Sequence, residues 1–186
     1  MDVHAFSYPT TSLRMVDIAE RLNAFMLEIC SRQPRDCTVH LIGHSLGGLV
    51  IYRFLERFPR QPPGRVVFLG TPGVDSRAAW HAARIRWAAR LLGRTVAEEL
   101  FEHRERKWNN GRELGIIAGT HRMGLGQFLA HFDEDSDGTI SVSETKLPGA
   151  TDHITLPVSH MGMLLSARVA KQAGHFLEQG RFALGV

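Results

Sequence analysis

The sequence has only two cysteines, Cys30 and Cys37, and no long uninterrupted run of hydrophobic residues. Such a sparse pair does not make the disulfide framework of a small secreted domain, so both thiols are predicted to be reduced. The longest apolar stretch, "HLIGHSLGGLVIY", is interrupted by polar residues and glycines and is too short to span a bilayer. Stable insertion of the chain into a membrane is therefore not expected.

The sequence also has no recognisable export signal and no nucleic-acid-binding module. Its first residues, "MDVHAFSYPTTSLR", contain no basic segment followed by an apolar core, so neither a signal peptide nor an anchor is predicted, and the expected location is cytoplasmic. The formal net charge is only +3, and glutamates are interspersed among the arginines between Arg77 and Arg112. This pattern is typical of a solvated helical face, and no nucleic-acid partner is predicted.

The chain itself is long enough for one globular domain, predicted over residues 1–186, because 44% of its 186 residues are hydrophobic. Short apolar segments alternate with segments of helical periodicity. The predicted strands are "DVHAFSY", "CTVHLIG", "GRVVFLG", "ELGIIAGT" and the alternating "TISVSET". One predicted helix begins near Ser12 and a second follows "HS". Two more are predicted over "SRAAWHAARIRWAARLLG" and "MLLSARVAKQAGHFLEQG". This alternation predicts an α/β fold with a doubly wound, mostly parallel sheet flanked by helices. Ligands bind such sheets at the carboxyl ends of the strands.

A candidate nucleophile follows the second predicted strand. "LIGHSLGGLVIY" contains the pattern GxSxG, with Gly43, Ser45 and Gly47 at the fixed positions. On a sharp turn between a strand and a helix, the Ser45 hydroxyl would be exposed to a substrate carbonyl. The N–H of Leu46, at the start of the helix, would then stabilise an oxyanion. The alternative interpretation is a glycine-rich packing turn on which Ser45 serves as a helix N-cap.

Nucleophilic attack by serine needs a base, and histidine is the usual one because its pKa lies near neutral pH. Of the ten histidines, His153 and His160 lie after the predicted strands, and His160 is preferred because it lies in the loop before the final helix. Aspartates at 133, 135, 137 and 152 lie between nucleophile and base along the chain. Asp137 is preferred because Gly138 and a predicted strand follow it. Its carboxylate would orient the His160 ring.

The same acidic stretch offers an alternative function. "DEDSDGTISVSE", from Asp133 to Glu144, fits the EF-hand pattern at every fixed position, which would make the chain a calcium-binding protein. Pro148 and Gly149 would stop the exiting helix almost at once, and the sequence has no second loop of this kind. The catalytic interpretation of the turn is therefore preferred and no metal or other cofactor is predicted, although a weak cation site beside the catalytic carboxylate stays open.

The segments "VHAFSYPT", "GHSLGG", "LGTPG", "IIAGT", "SDGTISVSET" and "VSHMGMLLS" together resemble those of the α/β-hydrolase superfamily, nearest its small bacterial lipase-like branch. The resemblance implies a serine esterase that forms an acyl-enzyme, with Ser45, Asp137 and His160 as the triad, Thr71 near the pocket and a small ester as substrate. One departure is that no "HG", whose loop supplies the second oxyanion N–H in this family, precedes Ser45. Three explanations stay open: an N-terminally shortened sequence, a donor from elsewhere, or a compromised activity. The last is compatible with a catalytically silent hydrolase-fold interaction protein.

Overall fold

In the computed structural model, residues 2–9, 12–33, 37–73, 106–122 and 134–184 are described. Within these ranges four parallel strands form one sheet in the order β1-β2-β3-β4. The strands are β1 (Leu41–His44), β2 (Val66–Leu69), β3 (Leu114–Gly119) and β4 (Asp152–Leu156). Because all of them run in the same direction, their carboxyl ends meet at one edge of the sheet.

Helices connect and cover the strands. The described residues form α1 (Met15–Ser31), α2 (Leu46–Arg57), the one-turn α3 (Val142–Thr145), a 3₁₀ helix (Gly162–Leu165) and α4 (Ala167–Gln179). The helices α1 and α2 each bury one apolar stripe, which includes Ile18 and Leu22 in α1 and Val50 and Phe54 in α2. The periodicity that predicted these two helices is thus the pattern of their buried faces.

The two faces of the sheet pack against different helices. Val66 and Phe68 of β2 belong to the hydrophobic cluster that contains α1 and α2. The intervening Val67 and Leu69 belong to the cluster that contains Phe176 of α4. Successive strand residues point to opposite faces, which explains why β2 is apolar throughout. Helices therefore cover both faces of a parallel sheet, and the predicted α/β fold class is confirmed.

The N-terminal segment corrects one prediction, because "DVHAFSY" is not a strand in this structure. Residues 2–9 have no ladder partner within the described part of the chain, and β-propensity alone does not make a strand. Phe6 and Tyr8 instead pack side by side, with ring centroids 5.5 Å apart, and Phe6 also contacts Phe25 of α1 at 5.4 Å. Burial of aromatic side chains thus holds this segment against the core.

The acidic segment corrects a second prediction, because "TISVSET" forms α3 rather than a strand. The Ser141 side chain accepts a hydrogen bond from the Glu144 N–H, and the Glu144 carboxylate accepts one from the Ser141 N–H. This reciprocal capping box favours a helical turn over the extended backbone that the alternating pattern indicated. Pairing in this stretch is limited to one isolated bridge between Ser136 and Ser141. The strand β4, which was not predicted, follows α3.

Several sequence-based expectations fall outside the described residues. These include the helix predicted over "SRAAWHAARIRWAARLLG", most of the arginine-rich stretch, and Asp133. Cys30 and Cys37 are described, and both are free thiols. Among the described residues, no helix is both long and apolar enough to cross a bilayer.

Candidate active site

Ser45 occupies the turn between β1 and α2 and has a strained backbone. Its φ of 52° and ψ of −122° make it the one described residue other than glycine with a positive φ. Such a conformation costs about 1–3 kcal/mol and persists only where the surroundings enforce it. Here the Ser45 N–H donates to the Leu69 carbonyl at 2.9 Å, and the Ser45 carbonyl accepts from the Gly48 N–H at 3.1 Å.

Close packing around this turn depends on Gly43 and Gly48. A Cβ added to Gly43 would lie 2.6 Å from the Gly48 Cα, and one added to Gly48 would lie 2.1 Å from Thr71 Oγ1. A Cβ on Gly47 would meet only the Tyr8 hydroxyl, at 3.9 Å. Of the two glycines in the GxSxG pattern, Gly43 is thus sterically required, whereas the second requirement falls on Gly48, one residue beyond the pattern.

Thr71 stabilises the backbone of the turn. It is buried, and its hydroxyl is placed to donate to the Ser45 carbonyl at 3.1 Å, with the Gly43 carbonyl at 3.5 Å. The family resemblance implied a place for Thr71 near the pocket. In the structure its hydroxyl contacts the carbonyl of the strained residue and helps to hold the Ser45 peptide in place.

The Ser45 side chain leaves its own helix uncapped. Ser45 is at the N-cap position of α2, but its hydroxyl makes no capping hydrogen bond. The alternative interpretation of Ser45 as a side-chain N-cap therefore does not fit the geometry. Within the described part of the chain, no hydrogen bond joins the Ser45 hydroxyl to His160 either. Leu46 is the first residue of α2, where N–H groups have no partner within the helix.

Asp137 and His160 form a buried pair. The His160 Nδ1 lies 2.7 Å from the Asp137 Oδ2, and the two residues are 8% and 0% exposed. An ionised carboxylate only accepts hydrogen bonds, so Nδ1 carries the proton and Nε2 of the neutral ring is free to accept one. The other carboxylate oxygen of Asp137 accepts from the N–H groups of Thr139 and Ile140, at 2.8 Å each.

The pair lies at the same edge of the sheet as Ser45. A Cβ on Gly70, just after β2, would lie 2.9 Å from Asp137 Oδ2 and 3.1 Å from His160 Nδ1. A Cβ on Gly119, at the end of β3, would lie 2.7 Å from the Asp137 Cβ. Gly70 has a φ of 53°, so glycine is favoured there by both backbone conformation and space. The loops after all of the described strands thus converge on this pair.

The other candidate base, His153, and the other described candidate acids, Asp135 and Asp152, lie in different environments. His153 lies on β4, and its Nε2 is 2.9 Å from Thr145 Oγ1. Because the Thr145 hydroxyl donates to the Val142 carbonyl, His153 Nε2–H is the donor in this bond. Asp152 accepts hydrogen bonds from the N–H groups of His153 and Phe182, and Asp135 is exposed.

Two carboxylates of the alternative calcium loop, those of Asp137 and Glu144, are engaged within the protein. Glu144 Oε2 accepts from the N–H and the hydroxyl of Ser141, at 2.9 Å each, and both oxygens of Asp137 have the partners given above. Among the described residues, which exclude Asp133, no group of three metal-ligating side chains is clustered. The residues around Asp137 therefore form a turn that presents one carboxylate to His160.

His44 was not among the histidines that the sequence singled out. Its Nε2 lies 2.9 Å from the His160 carbonyl oxygen, and the two imidazole centroids are 4.6 Å apart. Burial, and then the neighbouring His160, lower the pKa of His44. Its place beside Ser45 in the sequence was a signal of proximity, but the direction of the side chain depends on the distant His160 loop.

A groove of about 560 Å³ runs beside the turn. Its walls include residues from the 2–8 segment, α1, β1 and α2, among them Tyr8, Phe25, Ile42, His44 and Gly47. Burial raises the pKa of Tyr8, which keeps the phenol protonated at neutral pH. The groove therefore offers mostly apolar contacts close to Ser45.

Comparison with known proteins connects this geometry to a family. A sequence profile described as the Alpha/beta hydrolase family matches residues 2–178. The chain is similar to a Bacillus licheniformis lipase in its propeptide form, with a TM-score of 0.60 and 21% identity over 83% of this chain and 38% of that chain. It is also similar to the phospholipase PlaB from Legionella pneumophila in complex with thio-NAD, with a TM-score of 0.58 and 15% identity over 92% of this chain and 47% of that chain.

The chain thus spans less than half the length of either solved structure. The comparison with curated proteins gave no match. At these identities, the two structures bear on the fold alone. The family profile covers nearly the whole chain, and the parallel sheet with helices on both faces agrees with it. The chain belongs to the alpha/beta hydrolase family.

Proposed function

We propose that the chain is a serine hydrolase that cleaves carboxylic esters through an acyl-enzyme intermediate. Ser45 is the nucleophile, His160 the general base, Asp137 the carboxylate that orients it, and the Leu46 N–H one oxyanion donor. The proposal places this site in one domain over residues 1–186 and requires no metal or other cofactor. A cytoplasmic location stays a prediction from the sequence.

The observation that carries the proposal is the buried Asp137–His160 pair at the edge where Ser45 sits in a strained turn. The 2.7 Å bond from Nδ1 fixes the tautomer in which Nε2 accepts a proton. Strain at a residue whose hydroxyl caps no helix is typical of a functional site rather than of a packing turn. A base with a fixed tautomer and an uncapped serine hydroxyl at the same sheet edge suit acyl transfer.

The reaction follows from these roles. His160 Nε2 takes the Ser45 hydroxyl proton as the serine oxygen attacks the ester carbonyl carbon, and the carbonyl electron pair moves onto its oxygen. The Leu46 N–H, at the positive end of α2, stabilises that negative charge. The tetrahedral intermediate then expels the alcohol, which takes the proton from His160. Water, activated by the same base, hydrolyses the acyl-enzyme, and the carboxylic acid leaves.

The choice of carboxylic esters rests on the site and on the two similar solved structures. The groove beside Ser45 has mostly apolar walls, which suits the hydrocarbon part of an acyl group or an alcohol. The two similar structures are those of a lipase and a phospholipase, which supports an ester as the substrate of this chain. Small and moderately sized esters are the proposed substrates.

The test is hydrolysis of p-nitrophenyl butyrate by the purified chain, compared with Ser45→Ala and with wild type in excess EDTA. We expect turnover by wild type, an unchanged rate in EDTA, and loss of turnover in the variant by a factor of about 10⁴ or more. A rate that survives in a folded Ser45→Ala variant would exclude Ser45 as the nucleophile. A folded wild type without activity on esters of several acyl lengths would favour the silent interaction protein instead.

A further inference from the structure

Three hydrogen bonds hold His160 in place, one through its N–H, one through its ring and one through its carbonyl. The His160 N–H donates to the Asp137 carbonyl at 2.9 Å, and its Nδ1–H donates to the Asp137 carboxylate at 2.7 Å. Its own carbonyl lies 2.9 Å from His44 Nε2. A carbonyl only accepts, so Nε2 of His44 must carry the proton. The neutral His44 ring is thus the Nε2–H tautomer.

The two partners in the third bond have very different positions in the sequence. His44 is the last residue of β1 and directly precedes the strained Ser45. His160 follows β4, which β2 and β3 separate from β1 in the described sheet. The bond from His44 is therefore a direct connection between the turn of the nucleophile and the loop of the base. Asp137 sets the orientation of the imidazole but has no covalent neighbour in the Ser45 turn.

We propose that His44 is a positioning residue, whose Nε2–H bond to the His160 carbonyl and whose ring contact set the place of the His160 imidazole relative to Ser45. The inference rests on the proposed role of His160 as the base. The ring centroids, 4.6 Å apart with an interplanar angle of 46°, show that His44 also covers one face of that imidazole. Rotation of the base away from Ser45 is thereby restricted.

The charge state of His44 agrees with this role. Its half-buried ring packs against His160, with the Asp137 carboxylate nearby, and partial burial followed by the His160 interaction lowers its pKa. At neutral pH His44 is therefore uncharged and does not repel the positive charge that His160 acquires during the reaction. A permanent cation at this position would oppose the same step.

Two substitutions separate the hydrogen bond from the ring contact. His44→Phe keeps an aromatic ring against His160 but removes the donor, whereas His44→Gln keeps an N–H donor close to the place of Nε2. We expect His44→Phe to lower kcat for p-nitrophenyl butyrate by about 10- to 100-fold, with KM within about twofold, because a small misplacement of the base acts on the chemical step. His44→Gln should return kcat to within about threefold of wild type. Equal kcat in wild type and His44→Phe would overturn the proposal.

NMR spectroscopy tests the same inference without relying on activity. The wild-type imidazole nitrogens of His44 should show Nε2 protonated and Nδ1 unprotonated, and the His160 Nδ1 proton should give a slowly exchanging downfield signal. That signal should broaden or disappear in His44→Phe and persist in His44→Gln. A wild-type His44 with its proton on Nδ1 would overturn the proposal, even if the phenylalanine variant failed to fold. If wild type cleaves no ester but shows this NMR pattern, the proposed ester hydrolysis is overturned, whereas the hydrogen bond by which His44 holds His160 is supported.

Discussion

The nucleophile turn and the acid–base pair are two parts of one candidate site, yet they are built in opposite ways. The turn consists of consecutive residues, Gly43 to Gly48, whose shape depends on the absence of side chains and on backbone hydrogen bonds. The pair joins Asp137 and His160, 23 positions apart in the sequence, through a buried side-chain hydrogen bond and a second bond between their backbones. Substitutions should therefore disrupt the turn by steric conflict, whereas they should disrupt the pair by removing a charge or a hydrogen bond. Substitutions can separate these two modes of failure.

The largest expected effect is on the pair. Asp137→Asn keeps an acceptor for the N–H groups of Thr139 and Ile140 but turns an amide N–H₂ toward His160, which forces the wrong tautomer. Ester hydrolysis should fall about 10⁴-fold, or about 5 kcal/mol in the activation barrier, with a small change in stability. The measurements are steady-state kinetics and chemical denaturation. Asp135→Asn, at an exposed position two residues away, should leave both nearly unchanged. Equal losses in the two variants would remove Asp137 from the proposed mechanism.

Substitutions at the turn should change the free energy of unfolding rather than the rate of the chemical step. Gly48→Ala places a methyl group where Thr71 Oγ1 would be 2.1 Å away, so we expect a loss of about 3 kcal/mol in the free energy of unfolding. Gly47→Ala is the matched control, because its methyl group would meet only Tyr8 at 3.9 Å. It should change stability by less than about 1 kcal/mol, with a gain favoured by the helix propensity of alanine. Similar stability of the two alanine variants in urea denaturation would contradict the steric account of the turn.

A smaller effect is expected at Thr71. Thr71→Val preserves shape but removes the hydroxyl that donates to the Ser45 carbonyl at 3.1 Å, which should cost about 1 kcal/mol of stability. Thr71→Ser keeps the hydroxyl and loses only a methyl group. The measurement is the rate at which Ser45 reacts with an organophosphate, compared at the same folded fraction. Thr71→Val should react more slowly than Thr71→Ser. Faster reaction of Thr71→Val than of Thr71→Ser would show that the hydroxyl does not support the active conformation.

The smallest effect concerns pH. Burial is the main cause of the lowered pKa of both His44 and His153, so the unfolded chain binds more protons than the folded chain below their ordinary pKa of about 6.5. Their contribution to stability is complete above that pH and is lost as the pH falls through the window below it. Urea denaturation at pH 7, 6 and 5 should show decreasing stability, with a shallower decrease for His153→Gln. Parallel curves for wild type and variant would assign the pH dependence to other groups.

How much the sequence could predict differs between the same two regions. The turn was recognisable because strand, GxSxG and helix are adjacent in the chain, and β1, Ser45 and α2 occur in that order. Its second steric requirement, at Gly48, was not recognisable because the clash involves Thr71 from the loop after β2. Local patterns thus located the turn but not the neighbours that constrain it.

The acidic segment shows how two local signals can compete. The alternation in "TISVSET" indicated a strand, while Ser141 and Glu144 have the spacing of a capping box, and the capping box determines the observed α3. The N-terminal "DVHAFSY" has strand-like composition but no partner within the described residues. The role of His44 depends on where a loop 116 positions later is placed, which no local pattern encodes. Pairing and long-range contacts decide these cases.

In the proposed mechanism, the Ser45 hydroxyl is the nucleophile and the Asp137–His160 pair activates it. The most direct measurement is peptide mapping by mass spectrometry after reaction of the folded wild-type chain with a fluorophosphonate, in parallel with Asp137→Asn. We expect one covalent adduct, on Ser45, that forms much more slowly in the variant. An adduct on any other residue, no adduct at all, or the same rate of labelling in both proteins would contradict it.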